Sequence, residues 1–196
     1  MADLAKLIDH TLLKPETTRE DIANLCSEAK RYGFYSVCIP PFYVALAKRL
    51  LQDTGIKICT VVGFPLGFNT PHIKVIESRN AAARGADELD IVINVGLIKS
   101  KEDSTILEEL KRIIKVTPKS LHKVIIETPL LTDREKERAA LLVAESGAEF
   151  VKTSTGFISG PTSIEDVLLL YKTVGNRRKI KAAGGIRDLK GLKDMV

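Results

Sequence analysis

Two lysines and one aspartate stand out because they are charged residues within or at the ends of segments that are otherwise apolar: Asp90, Lys152 and Lys181. Lys152 lies in Phe150-Val-Lys-Thr-Ser-Thr-Gly156, where strand-forming residues give way to a hydroxyl-rich turn. Burial disfavours the charged form of a lysine, and a second cation nearby does the same. The neutral amine that results can attack a carbonyl and form a Schiff base. We therefore expect Lys152 to be the nucleophile, with its pKa lowered to about 7–8.

Lys181 and Asp90 supply the groups that such chemistry needs beside the nucleophile. Lys181 lies in Lys179-Ile-Lys-Ala-Ala-Gly-Gly185, on the strand predicted to follow that of Lys152, so its ammonium group should approach Lys152 and depress its pKa. Asp90, in Glu88-Leu-Asp-Ile-Val-Ile, needs partners if it is buried, and it could pair with the lysines and transfer protons. The alternative is that each lysine packs its stem and extends its ammonium group into solvent. The pattern alone leaves these two interpretations about equally open.

Glycine turns follow the two lysine strands and could bind a phosphate group. Gly184 and Gly185 follow the second lysine, while Thr155 and Gly156 follow the first. Turns of this kind expose backbone amides to phosphate oxygens, and the phosphate sites of barrel enzymes often use the last strands. A Gly-Gly pair is by itself only a tight turn, so its position beside a lysine is what favours phosphate binding at these four residues.

No group of residues has the spacing of a metal site, so we do not expect a metal. The histidines are widely separated and the cysteines fit no zinc motif; these residues are His10, His72, His122, Cys26, Cys38 and Cys59. Two of the cysteines lie in apolar runs, and buried reduced thiols of a cytoplasmic protein are the simplest account of them. Glu127, at the end of a predicted strand, could either line the pocket or brace a lysine.

Short β-branched segments alternate with longer segments of helical period along the whole chain. Six strands are predicted, several of them nearly continuous apolar runs, as in parallel sheets covered on both faces: residues 36–39, 57–62, 88–94, 123–127, 149–153 and 179–182. The helices predicted between them are residues 21–31, 41–52, 71–84, 101–115, 133–146 and 163–173. Capping signals at Thr17, Thr132 and Thr162 are expected to begin three of these helices.

This alternation predicts a parallel α/β fold. A doubly wound nucleotide-binding sheet would carry a glycine fingerprint after its first strand, which Cys38-Ile-Pro-Pro lacks. Special residues instead follow many different strands, as in a barrel whose active site lies at the carboxyl ends of its strands. With a further short strand near residues 7–10, we predict a single domain over residues 1–196, a (β/α)8 TIM barrel with seven recognisable strands and the eighth apparently missing.

The composition narrows the range of partners. Hydrophobic residues make up 44% and charged residues 28% of the 196 residues, which suits a chain with a buried core. The net charge of +5 is scattered, without the basic stripe and interleaved aromatic residues of a nucleic-acid binder. No segment approaches the ~18 apolar residues of a membrane span, and the first residues lack a signal-peptide pattern. We expect a cytoplasmic protein with no membrane or nucleic-acid partner.

The order and combination of seven motifs resemble the deoxyribose-phosphate aldolase family over essentially the whole chain. The motifs are Ile8-Asp-His-Thr-Leu-Leu-Lys-Pro15, Val37-Cys-Ile-Pro-Pro41, Val62-Gly-Phe-Pro-Leu-Gly67, Gly85-Ala-Asp-Glu-Leu-Asp90, Lys123-Val-Ile-Ile-Glu-Thr128, Phe150-Val-Lys-Thr-Ser-Thr-Gly156 and Lys181-Ala-Ala-Gly-Gly-Ile-Arg187. So many motifs in one order make a chance similarity implausible.

The resemblance implies a specific reaction and a role for each of three residues. In that family the residue matching Lys152 forms the Schiff base, the residue matching Lys181 perturbs it and transfers protons, and the residue matching Asp90 belongs to the proton relay. The implied reaction is the reversible cleavage of 2-deoxy-D-ribose 5-phosphate to D-glyceraldehyde 3-phosphate and acetaldehyde, in deoxyribonucleotide catabolism, without a metal or organic cofactor.

The family pattern continues beyond Val196 with an eighth strand and a Gly-Ser-rich turn that helps to hold the phosphate. The resemblance also implies a homodimer or larger homo-oligomer.

Two alternatives to this function stay open. One is a Schiff-base aldolase that acts on a different pair of aldehydes, and the other is a non-catalytic phosphosugar-binding or assembly protein.

Overall fold

One sheet of seven parallel strands forms the centre of the protein in a computed structural model that describes residues 4–158, 160 and 162–196. Each strand pairs with the next along the chain, in the order β1 to β7. The strands are β1 Asp9–Thr11, β2 Ser36–Ile39, β3 Lys57–Val62, β4 Glu88–Val92, β5 Leu121–Ile125, β6 Phe150–Lys152 and β7 Lys179–Lys181. Sequential parallel pairing requires a crossover between strands, and helices supply these crossovers.

Eight α-helices occur in the same described ranges. They are α1 Arg19–Tyr32, α2 Val44–Leu50, α3 Pro71–Ala83, α4 Val95–Lys99, α5 Asp103–Val116, α6 Asp133–Ser146, α7 Ile164–Val174 and α8 Leu189–Asp194. Short 3-10 segments span Leu4–Leu7, Pro41–Tyr43, Thr128–Leu130 and Gly175–Arg177. None of these helices combines the length and the apolar character needed to cross a membrane.

The sheet curls until its two edge strands approach each other. Lys181 of β7 places Nζ 2.9 Å from Oδ2 of Asp9 on β1 and donates a hydrogen bond to the carbonyl of Leu7 at 3.1 Å. Across the described residues, β1 and β7 share no backbone pairing and no eighth strand is present. The predicted TIM-barrel architecture is therefore confirmed as a curled but incompletely closed barrel.

The element boundaries differ from the predicted ones mainly at their ends. The first strand begins at Asp9, later than expected, and β5 begins at Leu121, two residues earlier than expected. The segment predicted as one helix at residues 41–52 instead divides into the 3-10 turn Pro41–Tyr43 and α2. The short helix α4 was not predicted, and it begins where the Asn94 side chain accepts a hydrogen bond from Gly96 N–H.

Two of the three predicted helix caps lie one residue later than expected. Thr18, not Thr17, begins α1, and its capping box is completed by Asp21. Similarly, α7 is capped by Ser163 rather than by the threonine before it. The predicted box at Thr132 is confirmed. Neighbouring hydroxyl residues are chemically interchangeable as caps, so only the backbone geometry decides which of them accepts the bond.

A buried ion pair joins two helices to the carboxyl end of β4, outside the curled face of the sheet. Lys74 of α3 is 0% exposed, and its Nζ donates to Oε1 of Glu109 on α5 at 2.7 Å and to the carbonyl of Val92 at 2.8 Å. Burial lowers the pKa of Lys74 and raises that of Glu109, although each partner opposes the shift of the other. Each residue therefore keeps its charge in the interior because the other lies in contact with it.

Replacing Lys74 with methionine should destabilise the protein strongly, because methionine keeps the apolar stem but leaves Glu109 buried without its cation. Removing one partner of a buried ion pair costs about 3–5 kcal/mol. For a domain of this size we expect the melting temperature to fall by on the order of 10 °C, measured by thermal unfolding. The double variant Lys74→Met/Glu109→Met should recover most of the loss. Equal destabilisation in the single and double variants would contradict the pairing argument.

Candidate active site

A lysine and an aspartate from different strands meet on the concave face of the curled sheet. Lys152 is the last residue of β6, and its side chain is only 9% exposed. Its Nζ donates a hydrogen bond to Oδ2 of Asp90, which lies fully buried at the centre of β4. The strand β5 lies between them, so the contact spans the concave face where the sheet curls. The predicted association of these two residues is present.

A further lysine, Lys123, occupies the centre of this site. Lys123 is the middle residue of β5, and its Nζ lies 3.0 Å from Oδ1 of Asp90 and 2.6 Å from Oε2 of Glu88. The same Nζ is 3.5 Å from Oδ2 of Asp9 on β1. A contact between β5 and β1 can form only across the inside of the curl, which places all these groups in the barrel interior.

Lys181 joins the site indirectly. Its Nζ pairs with Asp9, and Asp9 also lies beside Lys123. The five residues Lys181, Asp9, Lys123, Asp90 and Lys152 therefore form a row of alternating charges, called here the ion-pair chain. Lys181 and Lys152 lie on neighbouring strands, as predicted, and are partners in their register, but the ammonium group of Lys181 pairs with Asp9 rather than with Asp90.

The charge state of Lys152 also differs from the expectation. Burial is the largest single influence and would lower its pKa, but the groups that favour its charge, chiefly the Asp90 carboxylate, together raise the pKa of Lys152 above its ordinary value. The lysine that opposes its charge most strongly is Lys123, not Lys181. Burial likewise disfavours the charged form of Asp90, but Lys123 and Lys152 together hold the pKa of Asp90 below its usual range. The expected neutral amine is thus replaced by an ammonium group in an ion pair.

The ion pair still offers a direct route to the neutral amine. Moving the proton from Nζ of Lys152 to Oδ2 of Asp90 changes two charged groups into two neutral ones. The net charge of the buried site does not change in this step, so it avoids the large cost of an isolated charge in an apolar interior. Asp90 is therefore positioned to receive the proton that Lys152 would have to lose before it could act as a nucleophile.

The sequence did contain a signal for Lys123, but the predicted strand boundary concealed it. With the strand placed at residues 123–127, Lys123 was its first residue and looked like an ordinary polar start. The observed strand begins two residues earlier, which makes Lys123 a central charged residue in an apolar segment, like Asp90. Asp9 was overlooked for a similar reason, because the first strand was too short to reveal a pattern.

Glu127 braces the loop that follows β6. Its carboxylate accepts a hydrogen bond from the backbone N–H of Thr155, with oxygen distances of 3.2 and 3.3 Å. Burial raises the pKa of Glu127, against the opposing influence of Thr155 and Lys152. The sequence left open whether Glu127 lines the pocket or braces a lysine. The structure is closer to the second interpretation, but Glu127 braces the loop after β6 and not a lysine.

The four residues expected to bind phosphate lie on two adjoining loops. Gly156 follows β6, Gly184 and Gly185 follow β7, and all three have positive φ angles, of 77°, 100° and 82°. A Cβ added to Gly156 would lie 3.8 Å from the Cα of Gly184, so the loops touch. No hydrogen bond from the amides of the three glycines to a described residue is present. Thr155 differs, because its amide already bonds to Glu127.

Hydroxyl groups hold the two loops together. Ser154 donates to the carbonyl of Ala183 at 2.7 Å, Thr153 donates to the same carbonyl at 2.8 Å, and Thr162 donates to it as well. One carbonyl thus anchors three side chains. The hydroxyl-rich turn after Lys152 therefore positions the glycine loop of the neighbouring strand, which explains why both features follow the lysine strands.

Comparison with known proteins places this arrangement in a family. The model of the DeoC/LacD family aldolases matches residues 4–196. The deoxyribose-phosphate aldolase of Geobacillus sp. (strain WCH70) is 50% identical over 195 residues, covering 99% of this chain and 87% of that protein. The enzyme of the same name from Bacillus subtilis (strain 168) is 50% identical over 194 residues, covering 98% and 87%.

Solved structures agree with the sequence relatives. The structure of the aldolase QR15 superposes with a TM-score of 0.96 at 42% identity, covering all of this chain and 87% of its own. A tetrameric deoxyribose phosphate aldolase from Aeropyrum pernix superposes with a TM-score of 0.91 at 33% identity, covering 98% and 82%. With this sequence identity over nearly its whole length, the chain belongs to the DeoC/LacD family of aldolases.

Proposed function

We propose that this protein is a class I deoxyribose-phosphate aldolase, which reversibly cleaves 2-deoxy-D-ribose 5-phosphate to D-glyceraldehyde 3-phosphate and acetaldehyde. The observation that carries the proposal is the buried contact between Lys152 and Asp90 at the active-site end of the barrel. Relatives with 50% identity carry the name of this activity. The proposed roles are Schiff-base formation for Lys152 and proton transfer for Asp90, with Lys181 as a further proton donor and acceptor.

The first step is imine formation. Lys152 transfers a proton to Asp90, and the neutral Nζ attacks the aldehyde carbon of the open-chain sugar. Loss of water then gives a protonated imine, in which the nitrogen can accept an electron pair. Lys123 lies 3.0 Å from Asp90 in the structure. Its positive charge keeps Asp90 a modest base, which can return the proton when the imine forms.

The second step breaks the bond between C2 and C3 of the sugar. Removal of the proton from the C3 hydroxyl group forms the carbonyl of glyceraldehyde 3-phosphate, and the electron pair of the broken bond flows into the imine to give an enamine. Protonation of C2 regenerates an imine, which water hydrolyses to release acetaldehyde and free Lys152. No external electron acceptor is required, so neither a metal nor an organic cofactor enters the scheme.

The phosphate group is assigned to the adjoining loops after β6 and β7. This assignment is supported by the glycine amides at Gly156, Gly184 and Gly185, which face no acceptor among the described residues. The Thr155 hydroxyl group accepts a bond from Phe157 N–H at 3.2 Å and remains able to donate to a phosphate oxygen. Such an anion site would hold the sugar with its aldehyde end toward Lys152.

Assembly into a homo-oligomer in the cytoplasm is proposed on separate grounds. The Aeropyrum pernix relative is described as tetrameric. Large apolar side chains are exposed in this chain on the segment that includes the start of α3: Leu66, Phe68, Ile73 and Ile76. Contiguous exposed apolar groups are typical of surfaces that meet another protein. The three free buried thiols support a reducing compartment.

Cleavage of 2-deoxy-D-ribose 5-phosphate, followed through the glyceraldehyde 3-phosphate released, tests the proposal directly. We expect turnover that is insensitive to EDTA, because the imine replaces a metal as electron acceptor. In parallel, borohydride reduction with acetaldehyde should add one ethyl group, located by mass spectrometry of the peptide that contains Lys152. A folded sample that shows neither cleavage nor this adduct would exclude the aldolase. An adduct without cleavage of this sugar would indicate an aldolase for another substrate.

A further inference from the structure

Two thiols lie beside Asp90 of the ion-pair chain, although the spacing of these three residues in the sequence fits no metal motif. Cys38 of β2 and Cys59 of β3 are partners in the register of the two strands, and both are fully buried. Cys38 Sγ lies 3.8 Å from Oδ2 of Asp90. One ligand atom from each of the three residues lies within 4.8 Å of those of the other two.

We propose that Cys38, Cys59 and Asp90 form an inhibitory binding site for soft divalent cations such as Zn²⁺ and Cd²⁺. The cation is not a cofactor of the aldol reaction, and its binding removes Asp90 from that reaction. Binding of the cation rests only on the three residues named, whereas inhibition also rests on the proposed function.

The donor set and its dimensions suit these ions. Sulfur ligands select Zn²⁺ and its heavier relatives over hard cations such as Mg²⁺. Zinc–sulfur bonds of about 2.3 Å at a tetrahedral angle place two ligand sulfurs about 3.8 Å apart. The three ligand atoms, within 4.8 Å of one another, therefore need to close by no more than about 1 Å. Rotation of the short cysteine side chains supplies such a movement, and water can fill the fourth position.

The charge balance of the site permits the exchange. Lys123 donates a hydrogen bond to Cys59 Sγ at 3.3 Å, so the sulfur already serves as an acceptor. An ammonium group this close opposes a second positive charge. However, a divalent cation that binds two thiolates displaces two thiol protons, so the net charge of the buried cluster is the same before and after. Only the ion pairs change, because Oδ2 of Asp90 binds the cation instead of Lys152.

The shared carboxylate oxygen links this site to catalysis. Oδ2 of Asp90 is the atom that receives the Lys152 hydrogen bond and also the atom 3.8 Å from Cys38 Sγ. A cation held by the two sulfurs and this oxygen removes the immediate proton acceptor of Lys152. Lys152, whose side chain is 9% exposed, bonds to the same oxygen, so a cation bound there competes with Lys152 for Asp90.

Titration of the reduced full-length protein with Cd²⁺, in a buffer that does not chelate metals, tests the site without relying on activity. We expect a sulfur-to-cadmium charge-transfer band in the ultraviolet that saturates at one equivalent per chain and disappears when Zn²⁺ is added in excess. Cys38→Ser and Cys59→Ser should each weaken the band and its affinity. The matched control is Cys26→Ser, because Cys26 is an equally buried thiol in the separate core outside the sheet. That variant should keep the full band.

The same samples, assayed for cleavage, should lose activity about 10²-fold at saturation and regain it with EDTA. Absence of the band in the folded wild-type protein would overturn the proposal, as would an unchanged band in the folded double variant Cys38→Ser/Cys59→Ser. A band with undiminished cleavage would overturn the inhibitory part. A band in a protein that is inactive without any cation would refute the proposed function while the cation site stands.

Discussion

Replacing Lys152 with leucine should abolish cleavage of 2-deoxy-D-ribose 5-phosphate, with kcat/KM lowered at least about 10³-fold. Leucine has no amine to attack the aldehyde, so no imine can form at position 152. Borohydride reduction with acetaldehyde should then add no ethyl group at this position. Steady-state kinetics and peptide mass spectrometry together measure the effect.

The leucine variant should remain folded, which makes its loss of activity interpretable. Asp90 keeps its ion pair with Lys123 at 3.0 Å, so no carboxylate is left buried without a cation. A matched control is Lys179→Leu, which removes an exposed lysine from the start of β7 and should retain full activity. If the Lys152 variant kept activity within about threefold of wild type, covalent catalysis by this residue would be refuted.

Replacing Asp90 with asparagine should lower kcat about 10²- to 10⁴-fold, the usual contribution of a positioned acid or base. Asparagine has the same shape, but it cannot accept the proton of Lys152. The buried ammonium groups of Lys123 and Lys152 then lack the carboxylate between them. A kcat unchanged in the asparagine variant would remove Asp90 from the proton transfer.

The pH dependence gives the same substitution a second readout. Asp90 is the main group that raises the pKa of Lys152, so its loss should lower that pKa and shift acetaldehyde trapping toward lower pH. The pKa of Asp90 itself is depressed by folding. Its contribution to stability is therefore present above its unfolded value of 3.8 and is lost as the pH falls toward the folded value. Unfolding measured against pH should show wild type losing more stability than the variant below about pH 4.

The ion-pair chain fills the barrel interior with charged groups whose burial costs folding free energy. Buried ion pairs rarely stabilise a protein more than apolar residues of the same size would. Three lysines and two aspartates in contact, with Glu88 beside them, are therefore better explained by proton transfer than by stability. The buried pair of Lys74 and Glu109 differs, because it touches none of these residues and joins only helices and the end of β4.

Local patterns determined much of this protein. Each predicted strand and helix overlaps an observed one, because hydrophobic periodicity and capping residues act over a few neighbouring positions. The same patterns marked Lys152 and Asp90 as charges inside apolar strands. They were less accurate at the ends of elements. Because the strand β5 begins two residues before its predicted start, the central position of Lys123 was not recognised.

The tertiary structure decided which charges meet. Asp90 and Lys152 are separated by 62 positions in the sequence, and Asp90 and Lys123 by 33, yet Asp90 contacts both lysines. A pKa depends on the groups within a few ångströms of the titrating atom, and the curl of the sheet selects those groups. For this reason the sequence alone marked Lys152 as a charged residue in an apolar strand but predicted the wrong direction for its pKa. It also could not reveal that Cys38 shares an oxygen neighbour, Oδ2 of Asp90, with that lysine.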